Sequence, residues 1–389
     1  MSPSAEALLR QNQTALANLQ RRRQLIAGGY IIALLSTALC LYAIQPGYSA
    51  AGWLLAALCF AARPLWLLRR HLTANHRPDE PRLLPNLGYA NTITLGRGWL
   101  IAGLGGLLLV PRLTGAWAWL PAGLYGTIVV LDVADGYVAR RTNHVTRLGA
   151  ILDIGLDGWG LLAAIAVAVR YGQLPLWYLP LAFSREAFLA GQWRLHRLGR
   201  PVYALTPSTE RRIIAGLQMG FLCIVLMPAV RPPMTTIAAA LFGTQLLASF
   251  VRDWLAVSGA VDPAGADYMR WQRAGRRVFK SWLPLIARLS SAGATLLLLK
   301  ELLPHVAHQP SLWAACAWGA MAMLLTLAGI WTRLGAGALL ILTLWHQQAF
   351  GFAWLPDGLL AISAILIIQL GSGPWTLRAD DDSMWYRPS

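Results

Sequence analysis

Four aspartates carry the clearest chemistry in this sequence. Asp132, Asp135, Asp153 and Asp157 fall in the stretch LDVADGYVARRTNHVTRLGAILDIGLDGWG, which begins at Leu131. The first pair is spaced i, i+3 and the second i, i+4, so on helices each pair shares one face. Two such helices side by side bring four carboxylates together. In or near a bilayer, a cluster of that charge needs neutralising, and ionisable groups at such depth mark function. With no His or Cys among the ligands, Mg2+ or Mn2+ is the natural partner. Such ions commonly share their coordination with substrate phosphates, and a two-metal site can clamp both oxygens of a phosphoryl transfer. The intervening residues fit that chemistry. Gly136 and Ala139 leave room beside Asp135, Arg140 offers a fork suited to phosphate, and Gly149 again permits close approach. Simple ion pairing with Arg140, Arg141 and Arg147 would not call for small residues at these offsets. A cation-coupled transporter or a scaffold, with no enzymatic activity, is the alternative from another class.

The elements that must position these groups are membrane helices. The chain has 389 residues, 56% hydrophobic and 13% charged, and its apolar residues gather in long runs. Runs lie near 24–44, 50–67, 92–110, 116–134, 149–169, 174–192, 213–230, 234–255, 284–304, 312–330, 334–350 and 354–371, which predicts an all-α polytopic membrane protein of about twelve spans. Many of the 18 Trp residues stand near run ends, as interfacial anchors do. Residues 1–23 read as a short surface helix rather than a cleavable signal. With the N-terminus inside, the inside segments hold Arg10, Arg21, Arg22, Arg23, Arg69, Arg70, Arg77, Arg82, Arg140, Arg141, Arg147, Arg194, Arg197, Arg200, Arg211 and Arg212, then a basic segment with Arg270, Arg273, Arg276, Arg277 and Lys280. The outside loops of the first eight spans hold little beyond Arg112, Arg170 and Arg231. This asymmetry explains the formal charge of +16 by topology, without nucleic acid, and puts the aspartates at the cytoplasmic side. Cys40, Cys59, Cys223 and Cys316 lie in apolar stretches and read as small core residues.

The aspartate segment resembles the CDP-alcohol phosphotransferase family, whose motif D-x2-D-G-x2-A-R-x8-G-x3-D-x3-D is matched at Asp132, Asp135, Gly136, Ala139, Arg140, Gly149, Asp153 and Asp157. The family also tends to N-x2-T-x2-R at the start of its first core helix, matched by Asn91, Thr94 and Arg97. The resemblance covers roughly 80–258 and implies a six-helix core open to the cytoplasmic leaflet of a bacterial inner membrane. It implies metal binding by Asp132, Asp135, Asp153 and Asp157, with Asp157 also serving as base. It implies CDP contacts from Asn91, Thr94, Gly136, Ala139, Arg140, Thr146 and Gly149. The implied reaction moves a phosphatidyl or other substituted phosphate group to an acceptor alcohol in phospholipid biosynthesis, and CMP leaves. CDP-diacylglycerol is the favoured donor. A CDP-choline or CDP-ethanolamine enzyme acting on diacylglycerol is the alternative, and ARRTN followed by GLDGW leans that way. Homodimers are common in the family, though no feature of this sequence encodes one.

Arg185, Arg211, Arg212 and Arg252 are candidates for an anionic acceptor or a lipid phosphate, because an Arg within a span is expensive. Their alternatives are topology for Arg211 and Arg212, and pairing with Glu186 and Asp253 for Arg185 and Arg252. The expected organisation is 1–79 with two spans, 80–258 as the core, 259–282 as a basic cytoplasmic linker, and 283–389 as a four-helix domain with a cytoplasmic tail at Asp380–Asp382. That last domain resembles the DoxX-like membrane proteins through GIWTRLGAGALL and LGSGPWTLRADD. Glu301, His305 and His308 could form a metal site, but a loop with spare histidines is the favoured reading.

Overall fold

The computed structural model describes residues 3–44, 49–205, 209–262, 265, 270, 273–275, 277–306, 309, 311–373 and 376–377. Among these the chain is all-α, with twelve α-helices and no named strand. They are α1 (Pro3–Ile44), α2 (Ala50–Arg70), α3 (Gly88–Gly106), α4 (Leu120–Arg141), α5 (Arg147–Arg170), α6 (Ser184–Arg197), α7 (Thr209–Val225), α8 (Met234–Val257), α9 (Leu283–Val306), α10 (Ser311–Ala328), α11 (Thr332–Phe350) and α12 (Leu359–Leu370). Seven helical segments among the described residues are long and apolar enough to cross a membrane. Their outward residues, such as Leu39, Val130 and Val133, are apolar and exposed. In water that surface would be costly; in lipid it is the expected one. This is an integral-membrane protein.

One expected span is not a single helix. Residues 174–192 open with a 3-10 stretch, Leu176–Phe183, and only then enter α6. Pro175 and Pro180 explain the break, since neither can donate a backbone hydrogen bond. Cys40 and Cys59 are exposed and Cys223 half-buried, so of the four cysteines only Cys316 is a core residue. The basic segment ends in a π turn, Val278–Trp282, that runs directly into α9, and Arg276 lies outside the described residues. Glu301 and His305 sit within α9 rather than in a loop. His308 and the Asp380–Asp382 tail fall outside the described residues.

The chain divides into two compact units, Met1–Phe183 with Leu222–Pro228, and Ser184–Phe221 with Ala229–Ser389. In the first, α3 is the central helix and packs against α2, α4 and α5. Its small residues make that possible. A Cβ at Gly106 would meet the Trp53 indole at 2.5 Å, one at Gly105 would enter the Phe60 ring, and one at Gly98 would come within 3.0 Å of Pro64. Such small faces let membrane helices approach closely. Polar ties add to the packing. The Tyr30 hydroxyl donates to the Leu95 carbonyl, Trp53 Nε1 to Gly103 O (3.2 Å) and Trp159 Nε1 to Phe60 O (2.9 Å). The first two helices are thus built into the unit that carries the aspartates.

Two features align the aspartate pairs. The turn Thr142–Thr146 joins α4 to α5 so tightly that the helices must run antiparallel as neighbours. With a rise of about 1.5 Å per residue, Asp132 and Asp135 lie about 14 and 9 Å before the end of α4. Asp153 and Asp157 lie about 9 and 15 Å beyond the start of α5, at matching depth. The second feature is the polar connection from His71 to Leu87. Asn75 Nδ2 donates to Leu84 O and Asn86 O (both 2.9 Å), while Arg147 N donates to His76 O (3.0 Å) and Arg77 Nη2 to Asn143 O (3.3 Å). This strap fastens the entry of α3 to the α4–α5 turn.

In the second unit, α9 to α12 form a four-helix bundle, each helix packed against its neighbours in the ring, with α8 against α12. Its core is aliphatic and well packed around Leu298, Leu339, Leu342 and Leu360. Buried Arg288 closes one end by donating to the carbonyls of Thr326 (3.0 Å), Leu327 and Ser372 (3.2 Å).

The α2–α3 contact is directly testable. Gly105→Leu forces a side chain into the Phe60 ring and should cost about 1–3 kcal/mol. It is expected to lower the melting temperature in detergent. Gly96→Leu, where a Cβ meets nothing within 4 Å, should leave the melting temperature unchanged.

Candidate active site

The site is built on three consecutive helices. Asn91, Thr94 and Arg97 are spaced by three along α3 and share one buried face. That face points at the carboxylates of α4 and α5. Arg97 is the hub. Its side chain is 1% exposed, and its guanidinium pairs with all four aspartates: Asp132 and Asp135 (3.4 Å) through Nη1, Asp153 and Asp157 (both 2.9 Å) through Nη2. For Asp132, Asp153 and Asp157 the bond uses Oδ1. Nη2 also reaches the Asp153 carbonyl at 3.3 Å.

The four carboxylates are not equivalent. Asp135 is buried and takes a hydrogen bond from the Thr94 hydroxyl at 2.8 Å. The side chains of Asp132, Asp153 and Asp157 are 26%, 45% and 39% exposed. Carboxylate oxygens of these three lie within 4.8 Å of one another. The arrangement is layered, with a cation at the bottom and an open triangle of acids above it. Four ionised carboxylates and one guanidinium leave a formal charge of three negative units. An all-oxygen donor set with that excess charge fits a hard divalent cation.

A second polar group adjoins the first. Thr146 caps α5, accepting from Gly149 N at 3.0 Å, and its hydroxyl also receives Asn91 Nδ2 at 3.2 Å. Asn91 further approaches Asn75 Oδ1 at 3.5 Å. The room left at Gly149 is what Asn91 uses, because a Cβ there would sit 2.6 Å from Asn91 Oδ1. On α4, exposed Arg140 lies over Gly136, with Nη1 3.3 Å from where a Cβ would be, and Ala139 is half-buried beside it.

Comparison with known proteins decides what this arrangement belongs to. Residues 87–251 match the family model described as CDP-alcohol phosphatidyltransferase. This stretch is a CDP-alcohol phosphatidyltransferase domain. The domain contains every aspartate of the cluster, Arg97 and the Asn91–Thr146–Gly149 group. Its relatives include cholinephosphotransferase 1 of Xenopus laevis, 36% identical over 156 residues, which covers 37% of this chain and 37% of that protein. The cardiolipin synthase (CMP-forming) of Streptomyces coelicolor is 36% identical over 87 residues, 21% of this chain and 39% of that protein. Ethanolaminephosphotransferase 1 of Homo sapiens is 31% identical over 91 residues, 21% of this chain and 23% of that protein. The chain thus spans about two fifths or less of the curated relatives it matches. No solved structure matches it.

The remaining expected site residues lie in the second compact unit. Arg252 pairs with Glu210 at 2.7 Å and with its neighbour Asp253 at 3.3 Å, and Arg211 reaches Asp253 at 3.3 Å. Arg185 stands in the first turn of α6 and exposed Arg212 at the start of α7.

The central role of Arg97 was not foreseen from the motif that contains it. The available signal was its register: a cation in an apolar run, on the same helix face as Asn91 and Thr94. Removing one partner from a buried charge cluster costs about 3–5 kcal/mol. Arg97→Met should therefore melt well below the wild type in metal-free detergent solution, and Mn2+ should restore part of the loss. Equal melting of the two proteins without metal would rule out the counter-ion role.

Proposed function

We propose that the domain transfers a phosphatidyl or similar substituted phosphate group from a CDP-alcohol to an acceptor alcohol, releasing CMP, with CDP-diacylglycerol as donor. The observation that carries this reading is the open carboxylate triangle of Asp132, Asp153 and Asp157 within a domain of this family. Asp132, Asp135, Asp153 and Asp157 would hold Mg2+ or Mn2+, with two ions in the site. Bound there, such ions would neutralise the donor's pyrophosphate and the charge building on the leaving CMP. Arg140 binds a donor phosphate by its exposed fork, and Gly136 with Ala139 lets that phosphate approach α4. Asn91, Thr146 and Gly149 form the shelf for the nucleotide. Thr94 acts from behind by holding Asp135. Asp157 accepts the proton of the acceptor hydroxyl as its oxygen bonds to the phosphorus bearing the transferred group. The bond from that phosphorus to the CMP oxygen breaks, and CMP departs with the electron pair.

Arg185, Arg211, Arg212 and Arg252 are assigned to a phosphorylated acceptor or a lipid phosphate. Residues 80–258 form the catalytic part, preceded by 1–79 and followed by the basic 259–282 linker and the 283–389 domain. The loop arginines support a cytoplasmic active site. A second donor reading, CDP-choline or CDP-ethanolamine with diacylglycerol as acceptor, draws support from the 156-residue match to a cholinephosphotransferase, against 87 residues for the Streptomyces cardiolipin synthase.

The test is CMP release by the purified protein with CDP-diacylglycerol and Mn2+ or Mg2+. Acceptors to screen are glycerol 3-phosphate, inositol, inositol phosphate, serine and choline. One acceptor is expected to trigger release that chelation abolishes, and Asp157→Asn should lower it by at least about 100-fold. Turnover only with CDP-choline or CDP-ethanolamine plus diacylglycerol would reverse the donor. Release undiminished in Asp157→Asn would remove that residue from the mechanism.

A further inference from the structure

Arg97, Arg288 and His346 each find polar partners among the helices. Arg97 meets four carboxylates and Arg288 three carbonyls. His346 on α11 lies 3.0 Å from buried Asp357, in the turn before α12, and 3.9 Å from half-exposed Glu301. Arg63 differs from them. It stands in α2, a helix long and apolar enough to span a membrane. Arg69 and Arg70 form the basic end of that helix, and Arg63 lies about 10 Å before it. Its Nε is buried without a hydrogen-bond partner, and among the described residues no carboxylate or carbonyl takes a bond from its guanidinium. An arginine at that depth is costly unless an anion or an aromatic face meets it. Here two aromatic faces do. The guanidinium carbon of Arg63 lies 5.7 Å from the Trp159 ring centre and 6.0 Å from that of Trp66, and Arg70 approaches the same Trp66 ring at 5.7 Å.

A proline sets this arrangement. Pro64 lacks the N–H that would otherwise bond the Phe60 carbonyl one turn earlier. Trp159 Nε1 takes that carbonyl at 2.9 Å, and its indole packs on the Phe60 ring with centroids 5.1 Å apart. The indole is thereby fixed beside Arg63. Trp159 comes two residues after Asp157, about 200° round α5, so this face is not the one that carries the aspartates. On α2, Arg63, Trp66 and Arg70 form one stripe, which continues away from the basic end through exposed Cys59 and Leu55. Arg70, like Arg63, has no acidic partner among the described residues.

We infer that this stripe binds one anionic phospholipid, with its phosphate held by Arg63 and Arg70 and an acyl chain lying along Cys59 and Leu55. Two guanidiniums without a counter-ion, beside one exposed indole, offer forked donors that match a phosphodiester. Tryptophan and a basic helix end mark the depth at which headgroups lie. The lipid is a resident of the α2–α5 face, separate from the donor and acceptor of the transfer reaction. It supplies the anion that the chain itself does not give Arg63.

Native mass spectrometry of the full-length protein in nonionic detergent tests this, with phosphatidylglycerol and phosphatidylcholine of the same acyl chains offered together and metal removed. The wild type is expected to retain one phosphatidylglycerol in preference to phosphatidylcholine. Arg63→Gln should weaken that retention about fivefold or more, the worth of one arginine at an anionic surface. Arg70→Gln, at an exposed position, should weaken it as well, and it decides alone if Arg63→Gln does not fold. Arg82→Gln, an exposed arginine away from the stripe, should retain phosphatidylglycerol as the wild type does. Equal retention of the two lipids by the wild type, or undiminished retention in a folded Arg63→Gln protein, would overturn the site. Displacement of the lipid by millimolar inorganic phosphate would also overturn it, because the stripe would then bind a free anion and not a lipid.

Discussion

The first unit is organised around one ion-pair cluster, the buried guanidinium of Arg97 beneath four carboxylates. Inserting a single charge at mid-membrane costs about 2.5–3.5 kcal/mol on biological scales. Five such groups on three helices are tolerable only when they meet. That demand fixes the register of α3 against α4 and α5, because a rotation of any one helix would leave charge facing lipid or aliphatic side chains. α3 must at the same time lie close to α2, and Gly98, Gly105 and Gly106 allow it.

Much of this was legible because helical periodicity is local. The i, i+3 and i, i+4 spacings placed the aspartates on facing surfaces, and the short turn between them set their depth. What escaped was long-range. Arg97 was read within a weak polar motif, although its partners lie 35 to 60 residues downstream and no local pattern names them. Gly149 was read as space for a ligand, whereas the nearest atom in that space belongs to Asn91. The segment 174–192 was read as a span because hydropathy averages do not register Pro175 and Pro180, which direct the backbone into a 3-10 stretch. His346 and Asp357 were hidden in the same way, each a single polar residue within or beside an apolar run.

Two polar clusters among the described residues illustrate different ways of keeping charge among apolar helices. The aspartate cluster gathers four carboxylates around one guanidinium, keeps an excess of negative charge, and leaves three of its acids partly open. The histidine cluster uses a neutral-capable imidazole anchored by one buried acid, with a single half-exposed carboxylate at its mouth. The first suits a site that exchanges a highly charged ligand with solvent.

The five residues joining α4 to α5 have a consequence for how the chain enters the membrane. Arg97 and its four partners all come from α3, α4 and α5, which are consecutive in the chain. Their mutual ion pairing needs nothing synthesised after Arg170. The cluster can therefore close while the C-terminal half is still on the ribosome. Arg97 never has to wait in lipid for later helices, and the insertion machinery can hand over α3 to α5 as one ion-paired packet.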